Sequence, residues 1–277
     1  MMKKIGLTLL SIAIFSVSLA QQEVEINGTK GQSNYLETEW GKIYYEVYGE
    51  GDPLLILHGN GGSIKGKHHL IPELAKNFTV IGMDSRCHGK SDCSEPDLDY
   101  FEMADDVYAL MDALGHEKYM IWGHSDGGIL GLILGYKYTD RIDRMVLSGA
   151  NAYVDGLKPE LVQMMSVYEQ IPDPRMKKHL KLMVKQKPIS LDSLAKADVP
   201  VMLMVGDRDA VKMEHTMKIF NALPKSNLCV LPGTSHFLDH EKPDQLIYWI
   251  NQFKQPFQAS STVEIARQMA KSMLPEE

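Results

Sequence analysis

The sequence predicts an α/β protein: a mostly parallel central sheet flanked by helices on both faces, with a short helical lid inserted late in the chain. Three observations carry this. Short apolar runs recur, such as Leu54-Leu55-Ile56-Leu57, without the alternation of a half-exposed strand; a strand buried on both faces reads this way. Longer stretches with helical spacing separate the runs, which is the pattern of βαβ units. Residues 151–195 break that rhythm, being rich in Met and Lys and holding no buried strand.

Met1-Met2-Lys3-Lys4, the apolar run from Ile5 to Ala20 and its small-residue exit Ser18-Leu19-Ala20 read as a signal peptide over residues 1–20. The run is shorter than the ~20 residues that span a bilayer, so cleavage after Ala20 is expected, with an uncleaved anchor as the alternative. The mature chain would start near Gln21 and be periplasmic or secreted, with no stable membrane insertion after leader cleavage. Residues 35–48 suggest two strands around a turn at Trp40-Gly41, with Ile43, Tyr45 and Val47 alternating to one face. Buried strands are expected over 53–57, 78–83, 119–122, 144–147, 199–205 and 227–231. Helices are expected over 103–114, 125–138, 213–223 and 243–253. The core thus comprises 21–150 and 196–256, and the insertion 151–195, as two or three helices, would lie over the strand ends as a lid. Residues 257–277 add a last helix. Ser261 and Glu264 are spaced for a capping box, and Ile265, Met269 and Met273 form a stripe expected to dock on the body.

The formal charge is −7, or −9 without the two leader lysines, and no basic cluster with interleaved aromatics occurs. Nucleic acid is therefore excluded as a partner. The three cysteines are Cys87, Cys93 and Cys229, and none sits in a metal or redox motif. Cys229 lies in an apolar run and reads as a buried small hydrophobe. Export permits disulfides, and Cys87 and Cys93 are close enough in sequence to pair, which leaves open whether they are bridged. No metal and no organic cofactor is required.

Gly123-His124-Ser125-Asp126-Gly127 follows one buried run and opens a helical stretch. A serine in that context sits on a strained strand-to-helix turn, with small neighbours relieving the crowding and a helix N-terminus favouring negative charge. A serine hydroxyl needs a base to become a nucleophile. Two later strands supply one: Gly206-Asp207-Arg208-Asp209 offers two carboxylates, and Gly233-Thr234-Ser235-His236 offers the imidazole. Two aimed amides are needed for a tetrahedral oxyanion. Asp126, after the nucleophile, and Asn60, in the glycine-rich loop His58-Gly59-Asn60-Gly61-Gly62, are placed to give them. Among the other histidines, His124 is beside the nucleophile but on the wrong side of the turn. His68 and His69 are adjacent and cannot share one helix face as metal ligands.

These residues bear a resemblance. From Leu54 to Phe253 the chain resembles an α/β-hydrolase of the lid-bearing esterase and lipase type. It is more closely similar to the biphenyl hydrolase-like proteins, which include valacyclovir hydrolase, through Gly-His-Ser-Asp-Gly-Gly at 123–128 and Gly-Ala-Asn-Ala-Tyr-Val at 149–154. The resemblance implies the triad order serine, acid, histidine. It places the acid fourth in the G-x-x-D turn, selecting Asp209, with Asp207 as the alternative. It implies that Asp84-Ser85-Arg86-Cys87-His88-Gly89-Lys90-Ser91 is a D-x-R-x-x-G-x-S segment bracing the loops, with Asp84 and Arg86 as a structural pair. It further implies hydrolysis of α-amino acid esters, with Asp126 binding the ammonium group. A lid shorter than theirs leaves the leaving group open. Physically, a carboxylate beside an oxyanion is adverse unless a cation neutralises it; the other reading is that Asp126 turns away to bind backbone or lid residues.

The reading is a serine hydrolase of small-molecule carboxylic esters, with Ser125, Asp209 and His236 as triad. C–C bond hydrolysis or acyl transfer on the same triad is the alternative. A non-catalytic binding protein of this fold is a third reading, opposed by the intact set of residues. Haloalkane dehalogenation would need a carboxylate where Ser125 stands.

Overall fold

The computed structural model describes residues 16–17, 21–94, 97–255 and 261–272. The expected signal peptide, apart from the backbone of 16–17, and Met273 of the terminal stripe lie outside the described residues. Ten strands form one sheet: β1 (Ser16–Val17), β2 (Gln22–Ile26), β3 (Thr29–Glu37), β4 (Lys42–Tyr48), β5 (Asp52–Leu57), β6 (Phe78–Met83), β7 (Tyr119–His124), β8 (Ile142–Ser148), β9 (Val201–Gly206) and β10 (Ser226–Leu231). Their order is β1-β3-β4-β6-β5-β7-β8-β9-β10, with β2 paired on β3. Pairing is parallel from β6 to β10 and antiparallel at β2, β3 and β4. Because β5 lies between β6 and β7, the order reverses there, and a crevice opens outside the carboxyl ends of β5 and β7.

Two-sided burial explains the unalternating runs of β5 to β9; the run at 227–231, expected as a buried strand, is instead the edge strand β10, with Val230 exposed and Cys229 only partly buried, because it ends the sheet among the described residues. Leu55 and Leu57 of β5 join one core with Ile81, Ile121 and Leu147. Leu54 and Ile56 face the other with Val80, Trp122, Val146 and Met204. Helices cover both faces. Between β5 and β6 lies the short α1 (Ile71–Leu74), and between β6 and β7 lies α2 (Tyr100–Ala113), capped by Asp99, whose carboxylate accepts the Phe101 amide at 2.7 Å. After β7 comes α3 (Asp126–Lys137), nearly all buried.

The lid segment holds α4 (Pro159–Met165), α5 (Pro174–Val184) and the short α6 (Leu191–Leu194). Proline at the first turn and an Asp173 cap accepting from Met176 N at 2.7 Å start α5. The chain closes with α7 (Met213–Ala222), α8 (Leu238–Glu241), α9 (Pro243–Gln252) and α10 (Thr262–Ser272). No described helix is long and apolar enough to cross a membrane.

Beyond the strands expected from Tyr35 on, β2 and β3 form a hairpin at Asn27-Gly28, which sit at φ of 47° and 83° as a two-residue hairpin turn requires. The α10 stripe does not dock: the capping box forms, with Ser261 N donating to Glu264 Oε2 at 2.7 Å, but every described residue of the helix is exposed. Helical spacing specifies a helix, not a partner for its apolar side.

Candidate active site

Ser125 stands between β7 and α3 at φ 55° and ψ −114°, a conformation costing about 1–3 kcal/mol for a residue with a side chain. Close packing makes the neighbouring glycines obligatory. A Cβ on Gly123 would lie 2.2 Å from the Gly127 carbonyl oxygen, and one on Gly127 would lie 2.2 Å from that of Leu57. The turn is locked by Ser125 N donating to Ser148 O at 2.8 Å and Gly127 N to His58 O at 3.0 Å.

Three strand ends converge on this serine. His236, after β10, places Nε2 2.9 Å from Ser125 Oγ, and its Nδ1 lies 2.7 Å from Oδ1 of Asp209, after β9. With Nδ1–H donating to the carboxylate, Nε2 is free to accept the serine proton. Asp209 is buried; Oδ1 also accepts the Val211 amide at 2.9 Å, and Oδ2 has no hydrogen-bond partner among the described residues. Gly149, after β8, backs the imidazole at φ 61°, where a Cβ would lie 2.7 Å from His236 Cε1. Asp207 instead accepts the Thr234 amide at 3.2 Å and props the loop carrying His236.

The loop after β5 lies against Ser125, a Cβ on Gly59 falling 3.0 Å from Ser125 Cβ. Neither the Asn60 nor the Asp126 amide has an acceptor among the described residues. The Asp126 side chain is buried, and its Oδ2 accepts from Asn60 Nδ2 at 2.9 Å. The buried Tyr100 hydroxyl faces the same carboxylate without meeting full hydrogen-bond geometry. Burial pushes the Asp126 carboxyl up to about 6, against the opposing pull of Asn60. Burial likewise lowers His58 to about 4 and His124 well below its usual value, so both are neutral at pH 7.

A cavity of about 390 Å³ opens on Ser125 and His236. Leu161, Met164 and Met165 of α4 and Leu180 and Met183 of α5 form its apolar wall, so the insertion does overlie the strand ends. A larger groove of about 610 Å³ along β2, β3 and β4 is remote from these groups.

Sequence reasoning missed the opposite wall. Lys67 and His240 line it, with Lys67 Nζ 2.5 Å from Oδ2 of the buried Asp239. His124, set aside on sequence, lines the cavity too, its ring 5.0 Å from that of His236. Only folding joins Lys67 to Asp239, so no spacing could reveal the pair. Ligating atoms of His69, Asp239 and His240 lie within 4.8 Å of one another. The two imidazoles stack at 22°, however, and Lys67 already holds Asp239; nearly parallel rings do not aim their lone pairs at one ion. His68 meets Glu46 at 2.8 Å. The bracing segment works through separate partners and not as an Asp84–Arg86 pair. Arg86 holds Asp106 and Glu102, and Asp84 accepts the Ile64 and Lys90 amides at 2.7 and 2.8 Å.

Residues 52–185 match the family model of the alpha/beta hydrolase fold. The serine hydrolase BPHL of Homo sapiens is 38% identical over 150 residues, which are 51% of this chain and 47% of that protein. The chain thus spans about half the length of the curated relatives it matches. A hydrolase from Pseudomonas aeruginosa PA01 superposes with a TM-score of 0.71 at 20% identity, over 80% of this chain and 97% of that one. Carboxylesterase CesB from Bacillus subtilis does so at 0.68 and 18%, over 82% and 93%; at such identities the structures speak for the fold. With the reversal of strand order at β5, the strained serine turn after β7 and these likenesses together, the chain has the α/β-hydrolase fold.

Proposed function

We propose that this chain is a serine hydrolase of small-molecule carboxylic esters, acting through an acyl-enzyme. The observation that carries the reading is the unbroken hydrogen-bonded line Ser125–His236–Asp209 opening on a partly apolar cavity. Ser125 Oγ attacks the ester carbonyl while His236 takes its proton, and Asp209 holds the imidazole orientation and stabilises its charged form. The amides of Asn60 and Asp126 bind the oxyanion. His236 returns the proton to the departing alcohol, and water then releases the acyl group by the same steps. The carboxylesterase name of one structural neighbour agrees with this chemistry.

Within the esters, the reading extends to those of α-amino acids. Asp126 is a buried carboxylate beside the oxyanion amides with no cationic partner among the described residues, and such a charge favours a ligand that brings one. An ammonium group reaching it takes the place of the Asn60 Nδ2 donor.

A fluorophosphonate probe, paired with p-nitrophenyl acyl and aminoacyl esters, tests both levels. Wild type should be labelled and should hydrolyse both classes, the aminoacyl esters faster. Ser125→Ala should lose labelling and at least ~10⁴-fold in turnover. Labelling that persists in Ser125→Ala would remove the assignment, and equal rates on both classes would leave a simple esterase.

A further inference from the structure

The loop from Cys87 to Cys93 is closed by a disulfide and carries the lid. Cys87 sits at φ 61°, in the left-handed region that favours glycine, at a cost of about 1–2 kcal/mol for a residue with a Cβ. The bridge, with Cys87 N donating to Asp92 O at 2.9 Å, closes the loop around a backbone where a cysteine would not rest by choice. That backbone is a docking point. The Cys87 carbonyl accepts from Nε2 of His179 on α5 at 2.9 Å, and the His179 ring stacks on His88 at 3.9 Å. One helical turn earlier, Arg175 donates to Gly89 O at 3.1 Å.

On its other side His179 reaches the oxyanion loop. Its own carbonyl accepts from Asn60 Nδ2 at 3.1 Å, and the same amide nitrogen donates to Asp126 at 2.9 Å. The Asn60 side chain is thus held between the lid and the residue after the nucleophile.

We infer that the Cys87–Cys93 disulfide positions the oxyanion loop through the lid: the bridged loop seats His179, a positioning residue, and His179 seats Asn60, so catalysis depends on the bond being intact. This rests on the esterase reading and on Asn60 as oxyanion donor. A dithiol supplies two electrons and two protons, closing into its own disulfide while the bridge becomes two thiols. Cys93 is partly exposed and Cys87 buried, so the first attack falls on Cys93.

The test is steady-state hydrolysis of p-nitrophenyl butyrate by oxidised enzyme and by enzyme reduced with dithiothreitol, then desalted without air. Alkylation and mass measurement of a parallel sample count the thiols, one before reduction (Cys229) and three after. Because a misplaced or missing oxyanion donor costs ~10²-fold or more, kcat should fall at least ~10-fold with KM within ~2-fold, and should recover on re-oxidation. Cys93→Ser should match the reduced enzyme; if it does not fold, the reversible loss in wild type carries the test. His179→Gln keeps a side-chain donor and should stay near wild type, whereas His179→Leu should lose kcat as reduction does. Enzyme with all three thiols free that keeps its kcat, or His179→Leu with wild-type kcat, would overturn the inference. Oxidised wild type that cleaves no ester would instead remove the esterase reading beneath it.

Discussion

Ser125, Asp209 and His236 come from the ends of β7, β9 and β10, and folding, not their spacing in sequence, brings them into one hydrogen-bonded line. The two carboxylates of the turn have different partners, His236 for Asp209 and the Thr234 amide for Asp207. Asp209→Asn should cut kcat by about 10⁴-fold, since an amide can no longer hold the right tautomer. Asp207→Asn should cost a few-fold at most, because Asp207 supports the loop, accepting the Thr234 amide and lying 3.8 Å from Arg208, and does not meet His236; the reverse order in a kinetic comparison would reassign the acid. Asp126 has its own signature. Its folded carboxyl titrates at about 6, above the ordinary 3.8, because burial penalises the charged form. A raised carboxyl contributes stability that is full below 3.8 and lost as pH rises through about 6. Wild-type Tm should therefore fall across that window relative to Asp126→Asn. Over the same window, the ratio of aminoacyl to acyl ester kcat/KM should rise in wild type and stay flat in Asp126→Asn, and His236 cancels from this ratio. A flat wild-type ratio would dismiss Asp126 as the ammonium site.

Among the elements, the strand–serine–helix turn was legible because part of its constraint is local, Gly123 being required by the Gly127 carbonyl within the turn itself, whereas Gly127 answers to the Leu57 carbonyl of the neighbouring strand β5. The lid was legible as helical, with α4 and α5 presenting Leu161, Met165, Leu180 and Met183 to the cavity. Its anchorage on the bridged loop was not, since His179 and Cys87 are far apart in the chain. For α10 the apolar spacing misled, because a period of four says which residues share a face and nothing about what meets it. With all its described residues exposed, deletion of residues 261–277 should leave kcat unchanged and stability within about 0.5 kcal/mol. A larger loss in a denaturant titration would mean that the helix has a partner surface.

For the whole molecule, the acidic balance of −7 sets the net charge, and we propose an exported address from the reading of residues 1–20 as a signal peptide. Export with cleavage after Ala20 predicts a mature N-terminus at or near Gln21 by mass spectrometry. It would remove β1, which contributes only the pairs Ser16–Glu37 and Val17–Leu36 at the sheet margin, so the processed protein should keep the stability of the full chain. A full-length form found only in membranes would overturn this address. By itself the sequence determined the parallel sheet, the strand-to-helix serine turn and the residue types that line up as Ser125, His236 and Asp209. Buried strands, tight turns and nucleophiles impose their demands on neighbours in the chain. Tertiary structure decided which carboxylate meets His236, that Arg86 pairs with Asp106, that Asp239 holds Lys67 in the cavity wall, and that a disulfide loop seats the lid beside Asn60. Each of those is a contact between distant segments, set by how the strands are ordered in space, and no local pattern encodes it.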